Sequence, residues 1–366
     1  MPTTTTSLLL RVFPPFAGGY FLSYLFRTVN AVIAPDLTAS VGLTAADLGL
    51  LSSIYFLTFA LCQLPLGLLL DRFGPRRVQS ILLLVAAGGA WLFGLGQDTT
   101  ALLIGRALIG VGVSGCLMAA FQAFVLWFPK SRLPLANGCI MACGGLGAIV
   151  ATAPVEALLG LVDWHGLFFG LSLLTLVVAA LVFLSVPEAA PAQGAGQLEA
   201  QLRGMIMVFR NRLFWRVAPL TMLAQAALLS LLGLWAGPWL RDVAGLDRAA
   251  VATYLLSTAV AMLGGYLILG ALGGQLQRWG RGLGRLIGVG LGVFLAAQFG
   301  LCLSLGRLAW ALWTLFGFTG AASILSFALL SQSFPTHLAG RVNTALNLLV
   351  FVTAFGCQYG IGVVIN

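Results

Sequence analysis

The sequence predicts an all-α membrane protein built from two helical bundles, and three observations carry that prediction. The 366 residues are 60% hydrophobic and 8% charged, with a mean hydropathy of +1.02. A soluble domain carries about 25% charged residues, so this surface is solvated by lipid. The apolar residues gather into runs of about 20, the length that crosses roughly 30 Å of hydrocarbon. Several short motifs also occur twice, at one offset of 206 residues.

Eleven spans follow in order, near 12–34, 46–70, 78–96, 100–127, 136–160, 166–186, 215–240, 249–273, 285–304, 308–333 and 342–365. Their connections are short except for "PEAAPAQGAGQLEAQLRGMIMVFRNR", rich in Pro, Ala, Gly and Gln before it turns basic. The domains expected are an N-terminal bundle (1–186, spans one to six), a cytoplasmic linker (187–214) and a C-terminal bundle (215–366, spans seven to eleven). The repeat joins the halves. Gly67, Arg72 and Gly74 map onto Gly273, Arg278 and Gly280; Phe128-Pro129 onto Phe334-Pro335; Asn137 onto Asn343; and Asp36 onto Asp242. Two parallel halves are a plan of secondary transporters. Six plus six predicts a twelfth span, and the chain stops after the eleventh, so the twelfth helix is either truncated or absent.

Charge sets the expected orientation. Arg11, Arg72, Arg76, Arg77, Lys130, Arg132, Arg203, Arg210, Arg212, Arg216, Arg278, Arg281, Arg285 and Arg341 fall on one side, against Arg241, Arg248 and Arg307 on the other. Positive loops stay cytoplasmic, which puts the N-terminus inside and the protein in the cell (inner) membrane. Asp36, Asp47, Asp98, Asp163, Asp242 and Asp247 take mostly the outer side. Trp91, Trp127, Trp164, Trp239, Trp279 and Trp310 lie near span ends, as interfacial anchors do. The N-terminus has no basic n-region of a cleavable signal peptide.

The net charge of +9 is spent on topology, so no nucleic-acid partner is expected. The six cysteines lie in apolar runs and read as small helix- or lipid-facing residues; even Cys139 and Cys143, four apart, have no His or carboxylate beside them to build a metal site. His165 and His337 read as solvated loop residues. No phosphate-binding loop or catalytic-triad spacing occurs, so no enzyme and no cofactor is expected. The partners expected are the bilayer, a small anionic substrate and a proton, with the chain as a monomer.

Two motifs stand out. "GLLLDRFGPRR", from Gly67, sits between spans two and three; Asp71 ends span two, where it can accept hydrogen bonds from a neighbouring helix N-terminus or pair with an arginine. "GRALIGVG", Gly105 to Gly112, sets an arginine before spaced glycines in span four. With its echo "QRWGRG", this pattern resembles the major facilitator superfamily over the whole chain. The resemblance implies two six-helix-type bundles rocking about a midplane site by alternating access. It also implies that Gly67, Asp71, Arg72, Gly74 and Arg76 form a conformational latch.

Arg27 lies deep in span one, where a charge costs about 2.5–3.5 kcal/mol on insertion scales. "YLFRTVNAVIAPDL" resembles span one of the organic anion branches of the family, the anion:cation symporters and the organophosphate antiporters, in which this arginine touches substrate. The symporter branch adds an arginine in span four, where Arg106 stands. Three departures narrow the likeness. The span-seven arginine of the phosphate antiporters is missing, as are those of the nitrate porters in spans two and eight. The Gly-Pro-x-x-Gly-Gly pattern of drug antiporters is not reproduced in span five. The repeat sets Gly233 opposite Arg27 and Leu312 opposite Arg106, so the symmetry of the fold asks for neither arginine.

Around these two, Tyr24, Asn30 and Gln122 are candidate neutral hydrogen-bonders to substrate. Glu156, the one acid well inside a span, is the candidate proton carrier. The function expected is proton-coupled symport of a small anion, an organic carboxylate. Two alternatives stay open: drug or metabolite efflux by proton antiport, and a transporter-like sensor that binds without turnover.

Overall fold

The structure, a computed structural model, describes residues 5–128, 133–188, 198–278, 283–303, 308–334 and 339–365. Pro129, Lys130, Arg132, Trp279, Gly280, Arg281, Arg307, Pro335 and His337, named above, lie outside the described residues, as do the side chains of Asp71, Asn137 and Arg278. The fold is all-helical and divides after Leu198 into two compact units, residues from Ile361 counting with the first.

The first unit contains α1 (Thr5–Thr28), α2 (Asn30–Val41), α3 (Ala45–Leu95), α4 (Thr99–Val113), α5 (Cys116–Trp127), α6 (Leu133–Val150), α7 (Ala153–Leu159) and α8 (Trp164–Ser185). In it α4 and α8 lie along α3, and α1 lies along α5, α6 and α8. The second is built from α9 (Leu198–Phe209), α10 (Arg212–Ser230), α11 (Ala236–Asp242), α12 (Arg248–Arg278), α13 (Leu283–Cys302), α14 (Ala309–Gly320), α15 (Leu325–Ser333) and α16 (Ala339–Ile365). Here α14 packs against both α12 and α13.

Among the described residues nine helical segments are long and apolar enough to cross a membrane, or ten if Cys139–Val150 and Ala153–Leu159, bent by 40°, form one span. That differs from the expected eleven. The first expected span, 12–34, is divided between α1 and α2 by a turn at Val29. The second and third are both present, as Ala45–Gln63 and Arg72–Leu95, the two helices of α3 that meet at a kink at Gly74, whose φ of 76° and ψ of 163° no residue with a side chain adopts comfortably.

The acidic residues at span ends have a job that explains their positions. Asp98 accepts from the backbone N–H of Ala101, Asp163 from that of Gly166 and Asp247 from that of Ala250, at 2.7–2.8 Å. Asp47 and Thr44 form a reciprocal capping box at the start of α3. Each satisfies an orphan N–H at the first turn of a helix and meets the positive end of its dipole.

Two expectations are corrected. His165 is not a loop residue: Asp163 caps α8 immediately before it, and its Nδ1 lies 2.7 Å from the Gly94 carbonyl, its ring stacked on Trp164. Trp164 is not an interfacial anchor but is buried, its indole N–H donating to Ser40 Oγ at 3.2 Å. Trp91 and Trp310, by contrast, are exposed.

The 206-residue offset reaches into the backbone. Val29, where span one is interrupted, maps onto Trp235 in the widened turn Leu231–Trp235 between α10 and α11. Ser114 and Gly115, between α4 and α5, map onto Gly320 and Ala321, where the tight turn Ala321–Ile324 joins α14 to α15. Phe128 and Phe334 both end their helices in extended backbone. Interrupted spans at matching places in two halves are where transporter folds free backbone groups for a site.

Candidate functional site

Arg27 ends α1, and Arg106 comes from the middle of α4; both are buried. They meet at one ring. The guanidinium carbon of Arg106 lies 4.8 Å from the ring centre of Tyr55 and that of Arg27 5.9 Å from it. Arg27 also stands 4.6 Å from Tyr24 and 5.4 Å from Phe59. An aromatic face attracts a cation by its quadrupole, by about 0.5–2 kcal/mol per contact. This aromatic lining is what makes two buried guanidinium groups tolerable so close together.

Glycines place that ring. A Cβ at Gly110 of α4 would come within 2.7 Å of the Tyr55 carbonyl oxygen, and one at Gly105 within 2.8 Å of the Phe93 nitrogen. Gly112 leaves no room for a side chain against Ala86. The spaced glycines of "GRALIGVG" thus let α4 lie backbone to backbone on both halves of α3, as small residues do between helices in lipid. On the other side of α1, Gly144 of α6 gives way to the rings of Tyr20 and Tyr24, which meet edge to face at 5.2 Å.

The interruption at Val29 is held by the same residues. Arg106 Nη1 donates to the Phe26 carbonyl at 2.7 Å, in the last turn of α1, where carbonyls lack helical partners and a cation suits the helix dipole. Asn30 opens α2 and donates through Nδ2 to Ser52 Oγ at 3.0 Å. Tyr55 Oη donates to the Ser23 carbonyl at 3.1 Å. Asn30 Oδ1 and Arg106 Nε are buried with no hydrogen-bond partner among the described residues.

The structure therefore brings together Arg27, Arg106, Tyr24 and Asn30, with three residues the sequence reading did not single out: Ser52, Tyr55 and Phe59. Their spacing of three and four residues puts those three on one face of α3. It does not bring in Gln122, which is half-buried on α5 beside Phe124. Phe124 stacks on Phe13, roughly 20 Å along α1 from Arg27 at 1.5 Å per residue. Glu156 is half-buried in the first turn of α7, past the bend that follows α6.

In the motif between spans two and three, Gly67 is half-buried and Gly74 makes the turn. Arg76 rests on the Phe183 ring at 4.7 Å, and Arg77 pairs with Glu188; both tie this loop to the end of α8. Arg72 is exposed, 5.2 Å from Phe73.

Known proteins bear on this arrangement. The probable sulfoacetate transporter SauU of Cupriavidus necator is 29% identical over 157 residues, which is 43% of this chain and 36% of that protein. A probable L-galactonate transporter of Escherichia coli is 25% identical over 175 residues, 48% of this chain and 38% of that one. The matched stretch thus spans little more than a third of these relatives. Among solved structures, a bacterial homolog of the human lysosomal transporter Spinster, inward-facing and occupied, superposes with a TM-score of 0.78 at 18% identity over 97% of this chain and 82% of its own; that likeness speaks for the fold alone. The sequence model of the Major Facilitator Superfamily matches residues 16–356, nearly the whole helical chain with both arginines inside it, and the protein belongs to that family.

Proposed function

We propose that the protein is a secondary transporter that carries a small organic anion across the membrane by alternating access, coupled to proton symport. One observation carries the reading: Arg27 and Arg106 share the ring of Tyr55, and α1, α4 and α5 contain no acidic residue. The planar fork of arginine takes a carboxylate or sulfonate through two parallel N–H donors, which lysine cannot do. Sulfoacetate and L-galactonate, in the names of the two relatives, are organic anions of this kind.

The roles divide. Arg27 contacts the anion. Arg106 has one donor engaged on the Phe26 carbonyl, so it fixes the interruption of span one and offers the anion its remaining N–H groups. Asn30 and Tyr24 flank the site, and Glu156 carries the coupling proton. Asp71, with Gly67, Arg72, Gly74 and Arg76, latches one access state. The N-terminus is cytoplasmic.

The test is binding by purified, monodisperse protein to a panel of labelled carboxylates and sulfonates, alongside its melting temperature. Arg27→Lys is expected to lose most of the affinity and Arg27→Ala nearly all of it, each in protein that stays monodisperse. Arg27→Ala that binds its anion as wild type does would refute the assignment.

A further inference from the structure

The corner where α9 meets α10 presents a surface that the transport site does not use. One face of α9 is buried: Gly204, Met205 and Val208 turn inward, and Gly204 lies directly against the side chain of Arg341 at the start of α16. The opposite face, at positions i, i+3, i+4 and i+7, is Arg203, Ile206, Met207 and Arg210. All four are exposed, Ile206 by 51% and Met207 by 50%. A helix lying in water would show polar residues there. This one shows an apolar pair between two arginines.

The corner continues the pattern. Trp215 folds back so that its indole N–H donates to the Phe209 carbonyl at 2.7 Å, Asn211 caps α10 through Leu213 N, and Phe209, Phe214 and Trp215 pack ring against ring. Held in that way, Leu213 and Trp215 still expose their apolar surface, and Arg212 and Arg216 are exposed beside them. No acidic residue occurs from residue 200 to residue 241, so this stretch holds no carboxylate beside Arg210, Arg212 and Arg216.

We infer that this corner, Arg203 to Arg216, docks on the bilayer surface and binds the headgroups of acidic phospholipids. Two observations commit it to that occupant. The corner runs directly into the crossing segment Arg212–Asp242, so it stands at the level of the headgroups. Its chemistry matches theirs: arginines for phosphate, with Ile206, Met207, Leu213 and Trp215 for the boundary of the acyl chains, as in helices that lie in the interface plane. A second copy of the chain would bring the same arginines against these and be repelled. A soluble acidic peptide would leave the apolar residues without a reason.

The experiment is amide hydrogen exchange on the full chain in nanodiscs holding one copy, made of phosphatidylcholine alone or with about a third phosphatidylglycerol. Peptides covering 198–216 are expected to exchange at least threefold more slowly with phosphatidylglycerol. The triple variant Arg210→Gln, Arg212→Gln, Arg216→Gln is expected to lose that difference while peptides of α8 exchange as in wild type, its apparent affinity for the acidic lipid falling about a hundredfold. If the triple variant is not monodisperse, Arg210→Gln alone is expected to lose part of the difference. Equal exchange in the two lipids overturns the inference. So does equal slowing by soluble glycerol phosphate in phosphatidylcholine discs, or slowing that follows two copies per disc rather than lipid charge.

Discussion

Tyr55 is the residue on which the site depends, because both arginines lie on its ring and its hydroxyl ties α3 to the Ser23 carbonyl of α1. Tyr55→Phe keeps the ring and loses one hydrogen bond, and is expected to cost about 1 kcal/mol. Tyr55→Leu removes both cation–π contacts as well, and is expected to cost about 2 kcal/mol more. Arg106→Gln removes a charged donor from the Phe26 carbonyl and is expected to cost about 2 kcal/mol. Thermal melts of the three variants check these values; an Arg106→Gln protein as stable as wild type would contradict the bond to the Phe26 carbonyl. The arginines were legible in the sequence because a charge inside an apolar run is costly and conspicuous. Tyr55 was not, since an aromatic residue in such a run reads as ordinary packing until the facing helix is known. His165 was misread for a related reason: "VDWHG" has the composition of a loop, and only the bond of Asp163 to Gly166 N shows that a helix begins there.

At the scale of elements, glycines decide how closely the helices approach. Gly112 has Ala86 where its side chain would be, while Gly88 has nothing within 4 Å. Gly112→Ala is therefore expected to force α4 off α3 and cost about 1–3 kcal/mol, and Gly88→Ala to be neutral or slightly stabilising, since alanine is the better helix former. Gly74→Ala should cost about 1–3 kcal/mol for a different reason, the strain of its backbone conformation. Melting temperatures in one detergent separate the three; a Gly112→Ala protein as stable as Gly88→Ala would contradict the close packing of α3 and α4. Most helices were legible from hydropathy, which needs only length and composition. The interruptions were not. Val29 and Asn30 carry no proline or glycine to mark a break, because the break is held from elsewhere, by Arg106 and Ser52.

For the whole molecule, the repeat was the most informative feature of the sequence. It matched motifs 206 residues apart, and the same offset relates the helix interruptions at Val29 and Trp235 and at Ser114 and Gly320. The arginines break that symmetry: the offset sets Gly233 opposite Arg27 and Leu312 opposite Arg106. If Glu156 carries the proton, Glu156→Gln should retain exchange of anion for anion across the membrane and lose uphill accumulation; equal accumulation would place coupling elsewhere. The most direct measurement is uptake of labelled sulfoacetate, L-galactonate and simple carboxylates into proteoliposomes with the outside made acid, for wild type and Arg27→Ala side by side. Saturable accumulation of at least one anion is expected, abolished by a protonophore and absent from Arg27→Ala. Saturable uptake of that anion by Arg27→Ala at the wild-type rate, or no uptake of any anion by well-folded wild type, would contradict it.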